Sequence, residues 1–241
     1  MESSYFIIYF HNSYEDIFQI ENYGLNFCSY LKMNIIMIEY PGFSIYEGKI
    51  DPNIISFDAL FIFDWVKATF RINDEQIFIC GRGLGTAPGI YLSSHKKTNA
   101  LFLISPFTSF KNLGRGYFFS LFFEDIFKSY VFVKNIACPV LLIHGMKDTL
   151  IHYSHSIKLF DEIKKSSFSK KVEIRINENM THNEFNLKED IIFAIRDFIY
   201  SNNLISKHNA INKFAYDKLK ELYKIPLSIA KKMEMKSSKE K

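Results

Sequence analysis

A chain of 241 residues that is 48% hydrophobic and 23% charged can bury a full interior and stay in water, which excludes disordered and collagen-like classes and fits one α/β domain. Three cysteines, Cys28, Cys80 and Cys138, without C-x-x-C spacing argue against a disulfide framework or a zinc site, so the expectation is a reducing, cytoplasmic compartment and no metal. The formal charge is +4, but residues 201–241 hold ten lysines against four carboxylates; the slightly acidic remainder argues against nucleic-acid binding.

The first residues, Met1-Glu2-Ser3-Ser4-Tyr5, lack the basic flank and small-residue cleavage site of a signal peptide. Apolar runs recur at 5–10, 35–39, 77–80, 101–104, 140–143 and 172–176, and each leads through a turn into an amphipathic stretch. The intervening helices fall at 16–31, 54–68, 84–94, 154–164 and 189–200. This alternation predicts an α/β fold, a mainly parallel sheet flanked by helices, with chemistry at the carboxyl ends of the strands. The longest uncharged runs, 83–95 and 98–110, are short of the ~20 apolar residues of a membrane span.

The strand-end turns carry the informative residues. The first is His11-Asn12-Ser13, and the second is Tyr40-Pro41-Gly42-Phe43-Ser44. The third, Gly81-Arg82-Gly83-Leu84-Gly85, places alternate glycines where a strand must turn sharply into a helix. Ile143-His144-Gly145-Met146-Lys147-Asp148 ends the fifth strand on a carboxylate, and Met180-Thr181-His182-Asn183 follows the last. A dinucleotide-binding reading of the third turn fails. Thr86 stands where G-x-G-x-x-G needs glycine, and no carboxylate ends the next strand near Leu101. No cofactor is expected.

In this order the five motifs resemble the alpha/beta-hydrolase superfamily, within it the serine-hydrolase branch that includes protein depalmitoylases, over residues 5 to about 200. The resemblance implies Asp148 as triad acid and His182 as base. It also implies the backbone N–H groups of Ser13 and Leu84 as oxyanion donors, with Asn12 replacing the glycine of the H-G-N turn. The nucleophile position is Gly83, which has no side chain with which to attack. Triad acyl transfer is therefore expected to be absent. Substitutes are poorly placed: Ser93 and Ser94 lie roughly 15 Å down the helix, Cys80 reads as core, Thr86 points along the helix, and Ser44 and Ser105 occupy no elbow.

The leading expectation is a pseudo-hydrolase that binds a small acyl or ester ligand or a partner. One alternative is an esterase or thioesterase with an unconventional nucleophile, or with water activated by His182 and Asp148. Another is a structural interaction module. Blander readings stand beside these: Asp148 as a helix-capping loop carboxylate, His182 and His144 as turn residues, Arg82 as a solvated surface group, and the Phe-rich stretch 117–127 as core packing, although hydrolases often place a lid there. The domain spans 1–200. Residues 201–241 form a basic tail, with an amphipathic helix over 209–224 and disorder after 231, suited to peripheral membrane or protein contact. The resemblance further implies that two strands are missing ahead of the first, leaving Ile35-Ile36-Met37-Ile38 at a sheet edge. Either the amino terminus is incomplete or the tail or a partner covers that edge.

Overall fold

The structure is a computed structural model that describes residues 3–113, 126–166 and 171–205. The readings made for the basic helix at 209–224, the end of the tail and most of the Phe-rich stretch 117–127 lie outside the described residues. Six strands, β1 (Phe6–Phe10), β2 (Asn34–Ile38), β3 (Ile77–Arg82), β4 (Ala100–Ile104), β5 (Val140–Gly145) and β6 (Val172–Asn177), form one sheet in the order β2-β1-β3-β4-β5-β6. Every pairing is parallel. Parallel strands are covered on both faces, which is why β1 reads Phe-Ile-Ile-Tyr-Phe without alternation and is buried throughout.

Two helical layers provide the cover. Phe6, Ile8 and Phe10 meet Ile55, Ala59, Phe63, Val66 and Phe70 of α2 (Pro52–Phe70) on one face. Helices α3 (Thr86–His95), α4 (Ser129–Phe132) and α5 (Ser154–Lys165) lie on the same side. Ile7 and Tyr9 face Phe27 and Leu31 of α1 (Glu21–Leu31) and Ile195, Phe198 and Ile199 of α6 (Phe193–Ser201) on the other.

Helix bounds depart from those expected for local reasons. The Asp16 carboxylate accepts the amides of Phe18 and Gln19, both at 2.9 Å, and this Asx turn delays α1 to Glu21. Before α6 the chain makes a π-helical turn, Leu187–Ile192, started by Asn186 accepting the Lys188 and Glu189 amides. α2 begins two residues before the expected 54, because Asp51 caps the Asn53 and Ile54 amides and Pro52 fits the first turn.

Among the described residues no strand lies beyond β2. Ile36 packs toward one core layer while Ile35 and Met37 pack toward the other, so this edge strand is apolar on both faces, as expected.

Candidate active site

The strand order reverses at β1, so the crevice between the carboxyl ends of β1 and β3 is the place where such a sheet gathers its ligands. His11-Asn12-Ser13 leaves β1 there, and Gly83–Gly85, a single 3-10 turn, leads β3 into α3. Gly83 has φ +51°, the left-handed conformation of a sharp strand-to-helix elbow. Gly85 is pressed against β1: a Cβ there would overlap the Phe10 carbonyl and stand 2.7 Å from that of His11. The elbow can be this tight only with glycine.

The two residues that the sequence motifs single out beyond the elbow meet in space. His182 Nδ1 donates to Asp148 Oδ2 at 2.7 Å, and both side chains are buried. Asp148 also accepts the amides of Leu150 and Ile151 through Oδ1, at 3.0 and 2.8 Å, and lies 3.3 Å from His144 Nε2. Burial alone raises the Asp148 carboxyl, but hydrogen bonds from His144, His182 and the Ile151 amide outweigh it and hold the group well below the usual carboxylate range. It is a fixed anion that orients the imidazole and leaves Nε2 as an acceptor.

The hydrogen-bond partner of that acceptor is Asn12, whose Nδ2 donates to His182 Nε2 at 3.0 Å. The other end of the same carboxamide, Oδ1, accepts the Ser13 amide at 2.8 Å and the Leu84 amide at 3.3 Å. Two N–H donors on one side and a ring-nitrogen acceptor on the other fix which way the amide points. Asn12 is 1% exposed and His182 3%, so the carboxamide and the imidazole meet away from solvent, while Ser13 at the rim is exposed. Asn12 is not among the residues with positive φ; its side chain, not an unusual backbone, is what distinguishes this turn. A Cβ built on Gly83 would overlap Oδ1 of Asn12 and stand 2.6 Å from its Cγ. The carboxamide thus fills the space above the elbow, touching His182 and both amides that the family resemblance assigns to an oxyanion.

Arg82 corrects the sequence reading. It is buried rather than solvated, 2% exposed, and it ties three loops together. Its Nη1 pairs with Glu15, while Nη2 donates to the His182 carbonyl at 2.7 Å and to Asn183 Oδ1 at 3.2 Å. Glu15 in turn accepts the Asn12 amide at 3.1 Å, and the guanidinium stacks over Phe185. On the other side of the same turn, His11 places its two ring nitrogens against the Asn12 carbonyl and Glu39, at 2.7 and 2.8 Å. The Tyr40 hydroxyl donates to the His11 carbonyl at 2.8 Å. Sequence reasoning missed the Arg82–Glu15 pair and the role of the Asn12 side chain. The available signal was that Asn12 and Gly83 depart from the hydrolase pattern together.

His144 lies at the end of β5, bonded to Ser156 and to the Ile151 carbonyl. Cys80 is fully buried and burial pushes its thiol up, in keeping with a core residue. Thr86 donates to the Gly83 carbonyl at 2.6 Å. A cleft of about 290 Å³ opens beside Asp148, lined also by Met146, Leu150, His152 and His155. Among the described residues no group of three or more His, Cys, Asp or Glu could hold a metal ion, and no helix is long and apolar enough to cross a membrane.

Residues 123–201, which include Asp148 and His182, match the model of the prolyl oligopeptidase family, peptidase S9. Alpha/beta hydrolase domain-containing protein aho-3 of Caenorhabditis elegans is 28% identical over 199 residues, 82% of this chain and 58% of that protein. Alpha/beta hydrolase domain-containing protein 17B of Homo sapiens is 25% identical over 205 residues, 82% of this chain and 67% of that protein. The chain thus spans about three fifths to two thirds of the length of these relatives. Among solved structures, an esterase of Pyrococcus furiosus superposes with TM-score 0.68 at 15% identity, covering 83% of this chain and 82% of its own. Est1E of Butyrivibrio proteoclasticus, bound to ferulic acid, superposes with TM-score 0.67 at 15% identity, covering 85% and 92%. The parallel sheet, the glycine elbow and these likenesses together make the chain an alpha/beta-hydrolase-fold protein, with sequence relatives among alpha/beta hydrolase domain-containing proteins.

Proposed function

We propose that this protein is a non-catalytic member of its fold, acting by binding rather than by acyl transfer. The observation that carries the reading is the Asn12 carboxamide seated over Gly83. Covalent catalysis needs a hydroxyl or thiol within reach of the histidine, and here the hydrogen bond of His182 Nε2 goes to an amide instead. The same amide occupies both N–H groups that would polarise a substrate carbonyl. A ligand that displaced Asn12 would have to reproduce its pattern, an oxygen for two N–H donors and a donor for Nε2. Primary amides and protonated carboxyl groups have that pattern, so the ligand class is a small carboxamide or carboxylic acid.

The test is labelling by a fluorophosphonate probe and turnover of short acyl esters. The expected result is neither for the unaltered chain, with labelling gained in the double variant Asn12→Gly/Gly83→Ser. Stoichiometric labelling of the unaltered chain on any side chain would overturn the reading.

A further inference from the structure

We infer that the outer face of α2 is a homodimer interface, in which the helix packs antiparallel against the same helix of a second copy. The residues of α2 that face the sheet are Ile55, Ala59, Phe63, Val66 and Phe70. On the opposite face stand Ile54, Phe57, Phe61 and Trp65, spaced three, four and four apart and therefore in one stripe. Phe57 is 64% exposed and Phe61 70%. A helix that is apolar on both sides is one that something else covers.

The stripe continues into the preceding loop. Ile45, Tyr46 and Ile50 are also exposed, and the Tyr46 hydroxyl donates to Asp58 at 3.1 Å, which holds that loop against the helix. The exposed surface of these seven residues, backbone and the Tyr46 hydroxyl included, sums to on the order of 700 Å². That exceeds the patch a typical monomer leaves open and is close to the ~800 Å² per partner of a standard interface.

The spacing chooses the occupant. Turned about a two-fold axis near position 59, the stripe matches itself: Phe57 meets the second copy's position 61, and Ile54 meets its position 65. Such self-complementarity is what an isologous contact requires. Of the bordering carboxylates, Asp64 is paired with Lys96 at 2.7 Å and Asp58 accepts a hydrogen bond from Tyr46. Carboxylates and lysines border the stripe together, without the basic cluster that holds a helix on an anionic bilayer.

The experiment is sedimentation of the full chain over a range of micromolar concentrations, with Phe57→Glu and Phe61→Lys variants alone and mixed. The expected result is a reversible dimer whose dissociation constant rises at least ~100-fold in either variant, a loss of the size expected when a central aromatic anchor is charged. Mixing the two variants should restore association. The carboxylate introduced at position 57 of one copy then faces the ammonium introduced at position 61 of the other, while Phe still faces Phe at the second pair. Thermal unfolding, together with Phe57→Gln and Phe61→Gln, checks that the fold is intact. A monomer at every concentration would overturn the inference. So would a dimer indifferent to both variants, as edge pairing through β2 would give, or mixing without rescue. Binding of phosphatidylcholine/phosphatidylserine vesicles that is lost in the variants without any self-association would make the stripe a membrane face instead.

Discussion

Asn12 and Gly83 are complementary in volume: the carboxamide of one sits where the side chain of the other would have to be, with Cγ 2.6 Å from the position of a Cβ. A single Gly83→Ser change therefore does not rebuild a serine elbow. It adds the ~1–2 kcal/mol cost of a non-glycine residue at left-handed φ to a steric overlap with the buried Asn12 carboxamide. We expect Gly83→Ser alone to lose about 2–4 kcal/mol of unfolding free energy, and Asn12→Gly/Gly83→Ser to recover part of it. A double-mutant cycle read by denaturant unfolding should give a favourable coupling of about 1–3 kcal/mol; additive effects would mean that the two residues do not compete for space.

Removing the carboxamide without replacing it exposes what it pairs. Asn12→Ala leaves His182 Nε2 and the Leu84 amide without their present partner, at about 1–3 kcal/mol for each buried group, while the amide of the exposed Ser13 turns to water. A net loss of about 2–4 kcal/mol is expected. The emptied notch should then take acetamide: millimolar acetamide should raise the melting temperature of Asn12→Ala more than that of the parent, where it must first displace the Asn12 carboxamide.

The acid side of the network has a definite pH sign. The folded Asp148 carboxyl titrates below its unfolded value of about 3.9, so its contribution is fully present above that value and is lost as pH falls through the folded one. Asp148→Asn should consequently cost about 2–3 kcal/mol at pH 7 and progressively less below pH 4, measured as the difference in unfolding free energy from the parent. A constant difference down to pH 2 would contradict the assignment.

The strands and most helices were legible from periodicity: a β1 of five consecutive apolar side chains fits a doubly covered strand, and apolar residues at three-to-four spacing placed α2 at 54–68, within the observed Pro52–Phe70. The Asp148–His182 pair was legible from motif order alone, before any distance was known. The loop between β1 and α1 was not, because an Asx turn at Asp16 competes with helix for the same polar residues. Nor was Arg82. A guanidinium is ordinarily solvated, and only the fold brings Glu15, the His182 carbonyl and Asn183 around it. The carboxamide bridge stayed hidden for a similar reason: along the chain Asn12 is only a change of backbone, whereas its side chain spans partners 72 and 170 positions away.

Arg82 should be among the most sensitive positions in the chain. Arg82→Met removes the bonds to the His182 carbonyl and Asn183 and strands the mostly buried Glu15 carboxylate beside the Asn12 turn. Breaking one half of a buried pair costs about 3–5 kcal/mol, whereas neutralising both halves costs less. Urea unfolding should show that loss for Arg82→Met and a smaller one for Arg82→Met/Glu15→Gln. A single variant within about 1 kcal/mol of the parent would mean that the pair does not hold the three loops.

A second pH dependence comes from His155, outside the network. Burial first, and then the positive charge of Lys158 with the neighbouring His144 and His152, pushes its imidazole down to about 4. Its Nδ1 accepts from Thr108, with Oγ1 at 3.0 Å. The folded state favours the neutral ring, so between pH 6.5 and about 4 the unfolded chain binds the extra proton and stability falls with acidity. Because the ring is only partly buried, the slope integrates to about 1–2 kcal/mol after solvent screening. Replacing His155 with Gln keeps an acceptor for Thr108 and removes the titration. The parent should therefore lose stability between pH 6.5 and 4 more steeply than His155→Gln, and parallel curves for the two would show that the ring is free to protonate in the folded protein.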